Sequence, residues 1–150
     1  MKVSDILRVK GGTLFTISPD QSLAEAVQTM AEHDIGSLVV MSHGQLAGIL
    51  TFREVIVAVV GNGGTVGKST VRAVMDDSPL TCTPETEIDE VRRMMLGRHA
   101  RYTPVMNQAK KVILFFRKAV VAIQSLIFRV WIYLFLKMAT NRLAILLVII

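Results

Sequence analysis

The sequence has a single cysteine, Cys82, among its 150 residues. One thiol cannot close an internal disulfide, and it cannot supply a CxxC metal site. This scarcity excludes a disulfide-stabilised scaffold, a zinc finger and an iron–sulfur protein. Apolar residues, in contrast, make up 51% of the chain. This fraction excludes intrinsic disorder, and it requires that a membrane-associated element be considered.

Acidic residues, glycine and proline are all absent from residues 108–150. Residues 1–107 carry ten Lys and Arg against twelve Asp and Glu, a net charge of −2, whereas the last 43 residues carry seven basic residues and no acid. The basic balance therefore belongs to the tail, and we expect no nucleic-acid partner. The first residues are charged throughout and do not resemble a secretory signal, so the expected compartment is the cytoplasm.

An internal repeat organises residues 1–107. At an offset of 65 residues, Phe15-Thr-Ile-Ser-Pro-Asp20 aligns with Leu80-Thr-Cys-Thr-Pro-Glu85. A repeat of this length indicates a duplicated supersecondary unit whose halves pack on each other, because each alone would leave an apolar face exposed. Six pairs in the alignment are identical: Thr16/Thr81, Pro19/Pro84, Glu25/Glu90, Met30/Met95, Val40/Val105 and Met41/Met106.

The first copy predicts a strand, a helix, a strand, a turn, a strand and a helix. Three short apolar runs are typical of strands: residues 14–17, 38–41 and 46–51. Ser22 and Glu25 form a capping box at the start of the first helix. The apolar positions of that helix share one face: Leu23, Ala26, Val27 and Met30. A second helix is predicted over residues 52–60, and the glycine-rich residues 61–69 form the linker.

The second copy follows this pattern and then departs from it. Thr86 and Asp89 predict another capping box, and residues 101–106 predict the next strand. The buried helix face is predicted to comprise Ile88, Val91 and Met95. At the same offset, Ile113 replaces Gly48 and Phe116 replaces Thr51. We therefore predict that the closing strand and helix are missing or rewritten, and we divide the chain into residues 1–64, 65–112 and 113–150.

Three short motifs occur in order within the first copy. They are Ser18-Pro19 after the first strand, Gly36-Ser-Leu-Val-Val40 in the second strand, and Gly48-Ile-Leu-Thr-Phe-Arg-Glu54 before the last helix. Together they resemble a tandem pair of cystathionine β-synthase (CBS) domains of the small stand-alone bacterial kind, over residues 1–112. The resemblance implies an α+β fold: two βαββα repeats in a pseudo-twofold module, the second incomplete, followed by an apolar, mainly helical tail.

The same resemblance implies a function. CBS pairs usually form homodimers and bind an adenosine nucleotide (AMP, ADP or ATP) in the cleft between the repeats. The nucleotide is a regulatory ligand, so the resemblance implies a sensor without catalysis, with no metal and no other cofactor.

The site implied by the resemblance centres on Thr51. This residue lies at a strand-to-helix junction, where the helix N-terminus offers unpaired amides and a partial positive charge to a phosphate. Arg53 can add a charge-assisted hydrogen bond to the same phosphate. The family pattern Gly-x-x-Ser/Thr-x-x-Asp directs an acid to the ribose hydroxyls, and Glu54 occupies that position. The implied base pocket comprises Ile17, Ile35, Gly36 and Ser37, with Cys82, Tyr102, Thr103 and Pro104 as their counterparts.

Several of these residues also have a purely structural interpretation. Thr51 and Glu54 match a capping box, which needs no ligand, although capping and binding can coexist. Arg53 can simply be exposed, and Cys82 can be a small buried apolar residue. The linker does not match a phosphate-binding loop, because Asn62 stands where the motif requires glycine.

Three interpretations compete for residues 113–150. The abrupt change of composition is what a reading-frame change or a fused foreign end would produce, and this interpretation ranks first. An amphipathic helix ranks second, with a basic face comprising Arg117, Lys118, Gln124, Ser125 and Arg129. A membrane span over residues 119–136 ranks third, because its 18 residues fall short of the usual length and include Arg129. An alternative function follows: a structural adaptor that dimerises and attaches to a membrane or partner helix through the tail.

Overall fold

The computed structural model describes residues 1–8, 13–109 and 111–117. These residues form a mixed α+β fold from two copies of one unit. The helices are α1 (Val3–Leu7), α2 (Leu23–Glu32), α3 (Phe52–Gly61), α4 (Val71–Val74) and α5 (Ile88–Gly97). The strands are β1 (Thr16–Ile17), β2 (Ser37–Ser42), β3 (Gln45–Thr51), β4 (Tyr102–Met106) and β5 (Val112–Arg117).

The first copy forms a three-stranded sheet in the order β1-β2-β3. β1 runs parallel to β2, with Ile17 opposite Val40, and β2 pairs antiparallel with β3. A β-bulge follows Val40 in the second pairing. The three strands predicted from apolar runs are confirmed, because one face of this sheet is buried against α2 and α3 and requires apolar side chains there.

The second copy repeats the same pairings. Cys82 forms a parallel bridge with Val105, and both residues lie 65 positions after the Ile17–Val40 pair. β4 pairs antiparallel with β5, and a bulge again follows Val105. The duplicated unit that the sequence predicts is therefore confirmed in the strand pairing itself.

The closing strand of the second copy is present, and its sequence is rewritten. Tyr102 lies opposite Arg117, as Ser37 lies opposite Thr51 in the first copy. Five residues separate Met106 from its partner Val112, whereas four separate Met41 from Leu46. This longer connection shifts the offset from 65 to 66. The counterparts of Gly48 and Thr51 are therefore Leu114 and Arg117, and the assignment of Ile113 and Phe116 to these positions was wrong.

The capping box predicted at the start of a helix is confirmed in the first copy and is wrong in the second. The Ser22 hydroxyl accepts the Glu25 N–H at 3.2 Å, and the hydrogen bonds from Ser22 lower the pKa of Glu25. In the second copy the capping box predicted from Thr86 and Asp89 is wrong. The helix is capped at Glu87, and no side chain bonds to the cap. The Thr86 hydroxyl instead accepts the N–H of Thr83 at 3.0 Å, and Asp89 pairs with Arg92.

A short opening helix precedes each copy, α1 before the first and α4 before the second, and each of these helices packs on the other copy. The Val3 N–H donates to the Thr86 carbonyl at 3.0 Å, and Val3 and Ile6 join the core of the second copy. Conversely, the Val71 N–H donates to the Gln21 carbonyl at 2.9 Å, and Val71 joins the core of the first copy. This exchange connects the two copies through buried apolar contacts. The sequence did not predict this exchange, because residues 3–7 directly precede the first copy along the chain and local patterns do not reveal contacts with the second copy.

Two apolar cores result, one per copy. The first contains Ile17, Leu23, Ala26, Met30, Leu38, Val40, Leu50, Val55 and Val71. The second contains Val3, Ile6, Cys82, Ile88, Val91, Met95 and Val105. The helix faces predicted to be buried are confirmed, except that Val27 is only half-buried.

The interpretations of the tail concern residues that lie largely outside this description, including the proposed span over residues 119–136 and the closing helix. Within the part of the chain that the structure describes, no helix combines the length and apolar character needed to cross a membrane.

Candidate functional site

Thr51 joins β3 to α3, and its side chain is held by the start of the helix. The residue is only 8% exposed, because β3 enters the core just before it. Its hydroxyl accepts the Arg53 N–H at 3.2 Å and donates to Glu54 Oε2. Glu54 Oε2 also accepts the Thr51 N–H at 2.9 Å. The capping box predicted from this sequence is therefore present, and it fixes both side chains.

A pocket of about 90 Å³ opens beside this cap, and both copies contribute to it. Thr51, Arg53 and Glu54 form the wall from the first copy. Tyr102 and the turn before it form the wall from the second copy. That turn comprises Arg98, His99, Ala100 and Arg101, and the remaining lining residues are Ile49, Asp76 and Leu80. The pocket therefore lies between the repeats, where the resemblance implies a ligand.

The pocket has more cationic than anionic side chains. Three arginines line it, against the two carboxylates of Glu54 and Asp76. Both carboxylates already accept hydrogen bonds, Glu54 from Thr51 and Asp76 from the Ser78 N–H at 3.0 Å. Among residues 1–8, 13–109 and 111–117, the structure shows no carboxylate paired with Arg53, Arg98 or Arg101. The lining therefore favours an anionic ligand.

A close approach of two backbone segments forms the floor of the pocket. Ile49 and Asp76 exchange two backbone hydrogen bonds, each of 2.9 Å. A Cβ atom added to the neighbouring Gly48 would overlap the Asp76 carbonyl oxygen and lie 3.0 Å from the Met75 sulfur. Gly48 therefore permits β3 to approach the segment after α4, and that approach brings Asp76 into the pocket.

Gly36 lies at a second close approach, next to the pocket wall. Its carbonyl accepts the Phe52 N–H at 3.2 Å. An added Cβ would lie 2.7 Å from the Tyr102 hydroxyl oxygen and 3.1 Å from the Phe52 ring. The structure thus places Gly36 beside Tyr102, although Gly36 itself does not line the pocket, so its contact with a ligand stays a prediction.

Of the remaining residues implied by the resemblance, six do not line this pocket. Ile17 and Cys82 lie in the two cores, where burial raises the pKa of the Cys82 thiol to about 12. Thr103 is fully buried, and its hydroxyl has no hydrogen-bond partner among the residues that the structure describes. Ile35 and Ser37 are half-buried, and Pro104 is buried. Any contact of these six with a ligand stays a prediction.

Sequence reasoning missed the basic turn that completes the pocket. Arg98, His99 and Arg101 lie between α5 and β4, and none was singled out from the sequence. The run Arg98-His-Ala-Arg101 is a local basic signal, but only the packing of one copy against the other directs it towards Thr51. His99 adopts a left-handed backbone (φ 54°), as does its counterpart Asp34 (φ 51°), so the two turns share one conformation.

A wider groove of about 520 Å³ adjoins the pocket on the other side of Arg53, Glu54 and Asp76. It runs between α3 and α4. Its apolar lining comprises Val57, Ala58, Ala73, Val74 and Met75. The two openings share one polar wall, so a ligand seated at Arg53 can contact both.

The second copy lacks the residues that would build an equivalent site at its own strand-to-helix junction. At the offset of 66 fixed by the strand pairing, Arg117 stands in place of Thr51, and the sequence has Ala119 and Val120 in place of Arg53 and Glu54. The hydroxyl and the carboxylate of the motif are therefore absent from this sequence position.

The described residues form a duplicated βαββ unit. The opening helices are exchanged between the copies, and a pocket lies between them, so the architecture is that of a tandem repeat module. Residues 3–61 and 71–114 match the family model described as the CBS domain. The chain therefore belongs to the CBS domain family, as the sequence motifs predicted.

Relatives agree with this assignment. The mitochondrial CBS domain-containing protein CBSX3 of Arabidopsis thaliana is 29% identical over 114 residues, which cover 70% of this chain and 55% of the relative. A crystal structure of a CBS-domain protein from Agrobacterium tumefaciens is 28% identical, with a TM-score of 0.77, covering 83% of this chain and 99% of that one. The chain spans about half to two thirds of the length of the first curated relatives it matches.

A third protein, CBSX2, has been solved in complex with AMP. Its fold matches with a TM-score of 0.72 over 85% of this chain and 98% of its own, at 20% identity. At this identity the likeness shows the shared fold alone.

Proposed function

We propose that this chain is a regulatory module that binds an adenosine nucleotide between its two CBS repeats and catalyses no reaction. One observation carries the proposal: Thr51, Arg53 and Glu54 at the start of α3 face the Arg98–Tyr102 region of the other repeat across one pocket. The complex of CBSX2 with AMP supports the choice of ligand, because that protein has the same fold.

The chemistry of the pocket suits the parts of a nucleotide. The N-terminus of α3, a helix of ten residues, presents a partial positive charge to the phosphate, although its Phe52 and Arg53 N–H groups already donate to the Gly36 carbonyl and the Thr51 hydroxyl. Arg53 and Arg101 supply charge-assisted hydrogen bonds to the same group. Glu54 offers a carboxylate to the ribose hydroxyls, on condition that it shares the oxygen now bonded to Thr51 or uses its second oxygen.

A nucleotide needs more room than this pocket alone provides. The pocket's volume of about 90 Å³ is well below the roughly 300 Å³ at which ligand pockets begin. The turn before β4 is the wall best able to move, because Arg98, His99 and Arg101 are exposed. On the opposite wall, Thr51 is buried and caps α3. We therefore expect the ligand to displace this turn, which converts binding into a change of surface that an effector can recognise.

We also propose that the module is a homodimer that pairs through α3. This helix exposes an apolar stripe made of Phe52, Ile56, Val57 and Val60, with exposed fractions from 51% to 75%. Exposed apolar side chains that follow one another along a helix mark an interaction surface. In a homodimer, the stripe of one copy packs against the same stripe of a second copy. Sedimentation analysis of the Ile56→Glu variant against wild type tests this arrangement.

Isothermal titration calorimetry of the full chain with AMP, ADP and ATP tests the nucleotide proposal. We expect saturable heat with at least one of them and a raised melting temperature in its presence. No heat and an unchanged melting temperature with all three would reject the sensor. Nucleotide hydrolysis by the purified chain would overturn the proposal that it catalyses no reaction.

A further inference from the structure

We infer that the pocket selects nucleotides with two or three phosphates over the monophosphate and over cationic adenosine derivatives. The inference rests on the proposed function and specifies its ligand. The observation behind it is the charge of the lining: three arginines against two carboxylates that are already hydrogen-bonded within the protein.

The arginines are placed around the pocket, and each keeps hydrogen-bonding capacity. Arg53 lies in the first turn of α3, while Arg98 and Arg101 lie on the opposite wall. Arg98 donates one hydrogen bond, of 3.4 Å, to the Ser78 carbonyl. A guanidinium has five N–H donors, so the arginines can hydrogen-bond more phosphate oxygens than one phosphate group presents.

The counterpart turn of the first repeat shows that this charge is not a general consequence of the fold. At the offset of 65, Arg98 and Arg101 correspond to His33 and Gly36, which carry no permanent charge. The two turns share their helix-terminating hydrogen bonds, Ile35 N–H to Met30 O at 3.0 Å and Ala100 N–H to Met95 O at 2.9 Å. The arginines are therefore not needed to form the turn, and at the pocket wall they are available to an anionic ligand.

Charge also excludes one class of adenosine ligand. S-adenosylmethionine carries a sulfonium, an ammonium and one carboxylate group, so its end opposite the base has a net charge of about +1, against the multiple negative charges of ADP and ATP. Like charges facing each other in a cleft are unfavourable by Coulomb's law. A triphosphate in the same position is attracted by three arginines and repelled by the two carboxylates of Glu54 and Asp76, and the net attraction decreases as salt screens the exposed side chains.

The test is calorimetry of the full chain with adenosine, AMP, ADP, ATP, S-adenosylmethionine and inorganic triphosphate, at low and high salt. We expect affinity to rise from adenosine through AMP and ADP to ATP, with S-adenosylmethionine weaker than AMP. Arg101→Gln and Arg53→Gln should each weaken ATP binding about tenfold and AMP binding less. Arg93→Gln is the matched control, because Arg93 is an exposed arginine of α5 outside the pocket, and it should change neither.

The outcomes separate the inference from the function on which it rests. Equal affinities for AMP and ATP, unaffected by Arg53→Gln and Arg101→Gln, would overturn the inference and leave the nucleotide site standing. Binding of inorganic triphosphate without any nucleotide would support the polyphosphate site and overturn the proposed function. Absence of binding by every probe would overturn both.

Discussion

Gly36 and Tyr102 meet where the two repeats face each other: a Cβ on Gly36 would lie 2.7 Å from the Tyr102 hydroxyl oxygen. The lack of a side chain at Gly36 lets the first repeat lie this close to Tyr102 of the second repeat, and Tyr102 lines the pocket. The contact therefore links the packing of the repeats to the shape of the candidate site.

Gly36→Ala should destabilise the protein by about 1–3 kcal/mol, because the new methyl group overpacks a contact with two rings. Urea unfolding measures the loss. Gly61→Ala is the control, since a Cβ there meets nothing within 4 Å and alanine suits a helix. The double variant Gly36→Ala/Tyr102→Phe should recover part of the loss. Equal stability of Gly36→Ala and wild type would contradict the close contact.

Thr51→Ala should both destabilise the protein, by about 1 kcal/mol, and weaken nucleotide binding. The first effect follows from the cap that its hydroxyl makes with the Arg53 N–H. Ser22→Ala removes the equivalent cap of α2, away from the pocket, so it should reduce stability without changing affinity. Thermal unfolding and calorimetry on both variants separate the two roles. If Thr51→Ala loses stability but keeps its affinity, Thr51 has only the capping role.

Ile6→Ala should cost about 2–5 kcal/mol, although Ile6 lies in a five-residue helix near the N-terminus. Its side chain is 2% exposed and belongs to the core of the second repeat with Val91 and Met95. Leu96→Ala is the matched control, because Leu96 is 47% exposed and lies outside the apolar stripe of α3. Chemical-shift changes for Ile6→Ala should concentrate at Val91 and Met95. Changes concentrated around Met30 would contradict the exchange of the opening helices.

Cys82 should make the free energy of unfolding fall with rising pH above about 9. Burial raises the pKa of its thiol from 9.0 to about 12. Between these values the unfolded chain loses the thiol proton while the folded chain keeps it, so alkali favours unfolding. At pH 10 this amounts to about 1.4 kcal/mol. The difference in unfolding free energy between wild type and Cys82→Ala should therefore narrow from pH 8 to pH 10. A constant difference would contradict the buried thiol.

Local patterns predicted most of the elements correctly. The Ser22 and Thr51 caps, the strands of the first repeat and the buried helix faces all depend on residues within one or two turns of each other. The repeat offset extended these predictions to the second copy. It failed by one residue in β5, because the connection before that strand is longer by one residue and only the hydrogen-bond register reveals this.

Contacts between distant residues could not be predicted. Val3 and Ile6 of α1 pack into the core of the second repeat, and nothing in the local sequence indicates which core receives them. Likewise, the sequence around Arg98 and Arg101 does not distinguish them from ordinary surface charges, because their position opposite Thr51 depends on packing between the repeats. The sequence thus identified one wall of the candidate site, and the fold supplied the other.

The stoichiometry of nucleotide binding tests the central claim most directly. A pseudo-twofold pair offers two equivalent junctions, but this chain has the Thr51 and Glu54 pair at one of them and Arg117 and Val120 at the other. Calorimetric saturation of the full chain should therefore occur at one nucleotide per chain, and Thr51→Ala should reduce this binding. Saturation at two nucleotides per chain, or no binding at all, would contradict the account.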